Sequence, residues 1–133
     1  MNTILFIDHE PIVRNVLRRE LAGQYHILEA TSPTEALDLC RNYSGIDLLV
    51  CDTDMGLVSG MELASLLRAW NSNLHTILTT ERPCECWTER QNTEMRELPA
   101  DAVLVLEQPF SSRELRAAIA KLAPEEAGLF VER

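Results

Sequence analysis

The chain has 133 residues, of which 46% are hydrophobic and 25% charged, and its formal net charge is −9. That length suits a single domain with a core of its own, and the composition excludes a disordered chain. The acidic balance argues against non-specific binding to nucleic acid or to an anionic membrane surface, although Arg14, Arg18 and Arg19 leave room for a local basic patch.

In chain order, the first apolar run covers 3–7, Thr-Ile-Leu-Phe-Ile, and ends at Asp8. A helix should begin near Pro11, a residue suited to a first helical turn. It carries Val13, Val16, Leu17 and Leu21 at three- and four-residue spacing and stops at Gly23. Further strand candidates are 25–30, 46–51, 75–79 and 102–106. Between them lie Ser32-Pro33-Thr34-Glu35, Ser59-Gly60-Met61-Glu62 and Ser111-Ser112-Arg113-Glu114. Each has the S-x-x-E form of a capping box ahead of an apolar-periodic segment, so each marks a helix start. Strands alternating with helices predict parallel βαβ units.

The stretch 81–101 stands apart. It is polar, acidic and interrupted by Pro83 and Pro99, and its apolar anchors are Trp87, Met95 and Leu98. A helix over 86–97 with a thin apolar stripe should dock loosely or irregularly. Trp87 and Trp70 read as packing residues, and Arg113, Arg116 and Lys121 as a solvated helix face. The tail 123–133 reads as an exit from the domain or the start of a linker.

No stretch approaches the ~20 apolar residues of a membrane span, and the first residues lack the basic region of a signal peptide. The expected compartment is the cytoplasm, with four reduced cysteines. Cys40 and Cys51 lie in apolar contexts and read as core residues. Cys84-Glu85-Cys86 has no second Cys/His pair at zinc-site spacing.

The chemistry gathers at strand ends. Asp52 closes the run Ile46-Asp47-Leu48-Leu49-Val50-Cys51, and Asp8 closes the first run. Ligands of parallel α/β sheets bind beyond the carboxyl ends of the strands, so two strand-end acids point to a site for a cation, a phosphoryl group, or both.

With these residues assembled, the chain resembles the receiver domain of two-component response regulators. The resemblance rests on Ile4-Leu5-Phe6-Ile7-Asp8-His9-Glu10-Pro11, on Asp47-Leu48-Leu49-Val50-Cys51-Asp52, and on Met55-Gly56-Leu57-Val58-Ser59-Gly60-Met61-Glu62-Leu63. Ile77-Leu78-Thr79-Thr80-Glu81 and Gln108-Pro109-Phe110 complete it. These motifs run in family order over 3–122, so 1–122 is read as the receiver domain. The resemblance implies a CheY-like, flavodoxin-like (βα)5 fold with a five-stranded parallel sheet of order 2-1-3-4-5, and a cis peptide at Gln108–Pro109. It also implies a signalling module and not an enzyme, with Asp52 as phosphoacceptor, Thr79 as the site hydroxyl, and Gln108 at the phosphoryl-contacting position. Mg²⁺ would be held by Asp8 and Asp52. The implied partners are a histidine kinase or phosphotransfer protein, a second copy of the chain across a helix 4–strand 5–helix 5 face, and a C-terminal effector domain. Neither nucleic acid nor membrane is an expected partner of this domain.

The chain departs from the family pattern at named positions. His9 stands for the second acid, Gln108 for the lysine, Val105 for an aromatic switch residue and Gly56 for a proline, and the segment from Thr79 to Gln108 is long. Mg²⁺ prefers oxygen ligands in near-ideal octahedra. Exchanging a carboxylate for imidazole removes a unit charge within ~4 Å, nominally ~4 kcal/mol per charge pair at an effective dielectric of 20, part of which hydration returns. Asp54, two residues past Asp52, is the candidate replacement ligand. Gln108 retains an amide donor but no charge. The expectation is weak or absent Mg²⁺ binding and slow or absent phosphorylation. The alternative is a pseudo-receiver, a phosphate-independent interaction and dimerisation module. A flavodoxin-like cofactor binder ranks last, because the first turn, Asp8-His9-Glu10-Pro11, is acidic and has no glycine to cradle a phosphate.

Overall fold

The computed structural model describes residues 3–7, 11–43, 45–56 and 58–123. The expected strands all form, with ends within one residue of the sequence reading. They are β1 (Thr3–Ile7), β2 (His26–Ala30), β3 (Ile46–Asp52), β4 (His75–Thr80) and β5 (Val103–Glu107). All four pairings are parallel, and the order is β2-β1-β3-β4-β5. Central β3 is buried along almost its whole length, whereas β5 at the edge is only half-covered. Full burial of both faces is why 46–51 reads as a continuous apolar run.

The period of two along each strand divides the core. Leu5 and Ile7 of β1, with Leu49 and Cys51 of β3, face one side; Ile4 and Phe6, with Leu48 and Val50, face the other. The first side is covered by α2 (Pro33–Asn42) and α3 (Gly60–Arg68), with Trp87 and Leu98 from beside α4 (Glu89–Arg96). The second is covered by α1 (Pro11–Asn15), which continues as a π-helical stretch (Val16–Glu20), and by α5 (Ser112–Leu122).

The capping signals act largely as read. Ser32, Ser59 and Ser111 side chains accept the backbone N–H groups of Glu35, Glu62 and Glu114 at 3.0–3.1 Å. Of these three, only Ser111 is in a fully reciprocal box, with Glu114 Oε1 accepting from its backbone N–H. Glu35 turns instead to the N–H and hydroxyl of Thr31; the backbone bond first, then the hydroxyl, hold its carboxyl below the usual range. A fourth box, Thr88 with Gln91, starts α4 and escapes the sequence reading.

The stretch 81–101 is more ordered than its composition suggests. It contains two short 3-10 turns, Cys84–Cys86 and Ala100–Ala102, on either side of α4, which spans 89–96 and not 86–97. No residue of α4 itself is buried, but Trp87 and Leu98 bracket it and enter the core, and Met95 packs against the same core cluster. Trp87 is therefore a packing residue as expected. Trp70 is not: it is 52% exposed, with the Arg41 guanidinium 5.4 Å from its ring centroid. Arg18 pairs with Glu29, and Arg116 with Glu20 at 2.9 Å, so neither is only a solvated charge. Cys40 and Cys51 are buried, and Cys84 and Cys86 exposed. Of the expected tail 123–133, Ala123 is buried and its carbonyl accepts from the Tyr25 hydroxyl at 2.7 Å; the rest lies outside the described residues. No helix among the described residues is long and apolar enough to cross a membrane.

Candidate functional site

β3 delivers Asp52 to the carboxyl edge of the sheet with only 4% of its surface exposed. The neighbouring strand sets Thr79 directly opposite it in register. Thr79 Oγ1 lies 3.5 Å from Asp52 Oδ2, and the Asp54 backbone N–H donates to Asp52 Oδ1 at 2.8 Å. A charge-assisted bond of that kind orients the carboxylate, while 3.5 Å is long for a hydroxyl contact, whose usual distance is about 2.7–2.8 Å.

The loop beyond Asp52 is tied down at both ends. The Thr53 N–H donates to the Thr79 carbonyl at 2.9 Å, and the Gly60 N–H to the Thr53 carbonyl at 3.1 Å. Asp54 and Ser59 form an antiparallel bridge. Gly56 has φ +92°, a conformation open to glycine and closed to proline. Ser59 both caps α3 and donates its hydroxyl to Glu94 Oε1 at 2.7 Å, so the loop is joined to α4. Gly60 lies against the end of β3: a Cβ there would stand 2.3 Å from the Asp52 carbonyl oxygen. Neither the Gly60 contact nor the Ser59–Glu94 bond is evident from sequence spacing, because each depends on how α3 docks.

A cavity of about 270 Å³ opens over Asp52. It is lined by Asp52, Thr53, Asp54, Thr80, Glu81 and Arg82. Asp54 lines the cavity beside Asp52, and its own Oδ1 accepts from the Gly56 N–H at 3.4 Å. Thr79 faces Asp52 across 3.5 Å. Gln108 does not line this cavity. Its backbone N–H donates to the Thr80 carbonyl at 2.8 Å, the Gln108–Pro109 peptide is cis as expected, and the residue borders an adjoining cavity with Ile12, Glu81, Pro109 and Phe110. Its buried Nε2 has no hydrogen-bond partner among the described residues. Asp8 and His9 lie outside the described residues. Burial first, and then the Asp52 charge, push the Cys51 thiol far up, which leaves it a neutral core residue.

Hard oxygen donors are what Mg²⁺ takes, and it is commonly held by one or two carboxylates with water completing the shell. Asp52 and Asp54 fit that chemistry. No cluster of three His, Cys, Asp or Glu side chains placed to hold a metal occurs among the described residues.

A doubly wound parallel sheet of order 2-1-3-4-5, with an acid and a hydroxyl at the carboxyl ends of its central strands, defines the flavodoxin-like receiver fold. Residues 4–120 match the response regulator receiver domain family, and the chain belongs to that family. A 71-residue stretch is 34% identical to the transcriptional regulatory protein YvrH of Bacillus subtilis (strain 168), covering 52% of this chain and 30% of that protein. The fold is similar to the CheY-like receiver domain protein of Methanospirillum hungatei JF-1, with a TM-score of 0.73 and 18% identity over 91% of this chain and 92% of the other. It is also similar to the response regulator TrrA of Thermotoga maritima in complex with Mg²⁺–BeF, with a TM-score of 0.64 and 29% identity over 92% and 99% of the two chains.

Proposed function

We propose that this receiver domain accepts a phosphoryl group on Asp52, with Mg²⁺ and phosphoryl binding weakened by His9 and Gln108. The observation that carries the reading is the Asp52 carboxylate at the end of β3, oriented by the Asp54 N–H and faced by the Thr79 hydroxyl at the floor of a small polar cavity. Asp52 would be the nucleophile. The Thr79 hydroxyl would donate to a phosphoryl oxygen, and the Thr53–Thr79 backbone bond keeps the two strand ends in register. Asp52 and Asp54, with Asp8, would hold Mg²⁺, which when bound supplies positive charge against the gathering negative charge of the transfer. The phosphate donor is a histidine kinase or phosphotransfer protein. The output passes through the face formed by α4, β5 and α5, to a second copy of the chain or to a C-terminal effector domain; on β5, Val105 stands where the family often places an aromatic switch residue.

The alternative, a phosphate-independent pseudo-receiver, draws on one observation: Gln108 supplies no charge and borders the adjoining cavity instead of the one over Asp52. Incubation with acetyl phosphate and Mg²⁺, read by intact mass, separates the two. The expected result is slow gain of one phosphoryl group by the wild type and none by Asp52→Asn. A folded wild type that never gains the mass favours the pseudo-receiver.

A further inference from the structure

The cavity over Asp52 has an unbalanced lining. Asp52, Asp54 and Glu81 are acids, and Arg82 is the one basic side chain among the described residues that border it. An incoming phosphoryl group adds roughly −1.5 to −2 charges at neutral pH. Positioning and electrostatic offset are most of what phosphoryl transfer asks of a protein, so a site that takes this group needs a cation near its non-bridging oxygens. Gln108 cannot be that cation.

We infer that Arg82 contacts the phosphoryl group and takes the place of the missing lysine; the inference rests on Asp52 being the phosphoacceptor. Arg82 follows the end of β4 by two residues. Its backbone N–H donates to Thr80 Oγ1 at 3.2 Å, and that hydroxyl donates to the Arg82 carbonyl at 3.0 Å. Thr80 is 2% exposed, so the root of Arg82 is anchored to a rigid, buried strand end. The side chain beyond that root is exposed, and no hydrogen bond or ion pair holds its guanidinium among the described residues. Arginine presents a planar fork that matches phosphoryl oxygens two at a time. The geometry therefore joins a fixed backbone to an unengaged cation at the mouth of the acceptor cavity. Glu81 borders both this cavity and the one lined by Gln108, so Arg82 and Gln108 share one acid as a neighbour across the two cavities.

The chemical step is a simple transfer. With acetyl phosphate as donor, an Asp52 oxygen forms a bond to phosphorus as the bond to the acetyl oxygen breaks. Acetate leaves with the electron pair. Nothing is oxidised or reduced, and Arg82 stays protonated throughout, neutralising charge without moving a proton.

The test uses the whole chain as wild type, Arg82→Gln, Arg82→Lys, Gln108→Lys and the Arg82→Gln/Gln108→Lys double variant. Two readings are taken: the acetyl phosphate labelling rate by intact mass, and the shift of the Thr53 and Asp54 amide signals on addition of beryllofluoride and Mg²⁺. Arg82→Gln should label about tenfold or more slowly and need more beryllofluoride for the same shift. Arg82→Lys should fall between, and Gln108→Lys should raise the rate by a larger factor in the Arg82→Gln background than in the wild type, a coupling that a merely structural role for Arg82 would not produce. Unfolding curves should coincide, because the exposed side chain leaves and the backbone bonds to Thr80 stay. A wild type and Arg82→Gln that label at the same rate overturn the inference and leave the phosphoacceptor reading standing. A wild type that takes no label sinks the phosphoacceptor reading and, with it, Arg82 as a phosphoryl contact, whatever beryllofluoride does.

Discussion

Gly60→Ala isolates the contact that sets α3 against the end of β3. Gly60 has an ordinary negative φ, so alanine meets no backbone strain there. The obstacle is space: the added Cβ would lie 2.3 Å from the Asp52 carbonyl oxygen, 2.8 Å from Leu78 Cδ2 and 3.0 Å from the Asp52 carbonyl carbon. Relief requires a movement of roughly 1 Å, and the nearest obstacle is backbone, which yields far less readily than a side-chain tip. Overpacking of this kind costs about 1–3 kcal/mol. The helix preference for alanine returns at most ~1 kcal/mol, and less in the first turn. The expected net is a loss of about 1–2 kcal/mol, or a Tm lower by about 3–6 °C. Gly23, where an added Cβ would meet nothing within 4 Å and φ is not positive, is the control; Gly23→Ala should be neutral or stabilising by up to ~1 kcal/mol. Urea unfolding with a common slope measures both. Since the displaced atoms belong to Asp52, labelling of Gly60→Ala by acetyl phosphate should fall as well. A Gly60→Ala variant as stable as Gly23→Ala would refute the close approach and the reasoning built on it.

Four further outcomes are expected. His9→Asp and Gln108→Lys should each raise the labelling rate of Asp52, and together they should act non-additively because both bear on one charge cluster; calorimetric Mg²⁺ titration of the four proteins checks the metal side. Ser59→Ala should cost about 1 kcal/mol for the lost cap of α3 plus the bond to Glu94, and Glu94→Ala only the latter, so equal urea midpoints would contradict the double role of Ser59. Native alkylation should reach Cys84 and Cys86 but leave Cys40 and Cys51 unmodified until urea is added; Cys84 should react faster as pH rises through the alkaline range, because desolvation and then the Glu107 and Glu85 charges hold its thiol above the ordinary value. Amide exchange should be faster across 89–96 than across 46–51, since no side chain of α4 is buried while β3 is enclosed; equal protection would mean that Trp87 and Leu98 clamp the helix as firmly as the sheet.

What the chain specifies locally is legible in the residues themselves. Strand β3 announces itself as an unbroken apolar run because both of its faces are covered, and α2, α3 and α5 announce themselves because a serine hydroxyl must satisfy a helix N–H three residues on. Asp52 at the strand end follows from the same run, and the family motifs attach Thr79 and Gln108 to it. The anchors of α4 were legible as the few apolar residues of 81–101, but the helix bounds were not: Trp87 and Leu98 lie just outside Glu89–Arg96, where helical periodicity carries no information about them. Tertiary structure alone decided the remainder. Trp70 lies in the open beside Arg41, Gln108 borders a cavity adjoining the one over Asp52, Ser59 reaches Glu94, and Arg82 comes to border the Asp52 cavity from a distant point in the sequence. Periodicity and capping are properties of neighbours along the chain, and local chemistry writes them directly into the sequence. Which side chains meet across a cavity depends on the register of β3 against β4 and on the approach of α3 to within contact of Asp52, and those are settled only when the whole sheet closes against its helices.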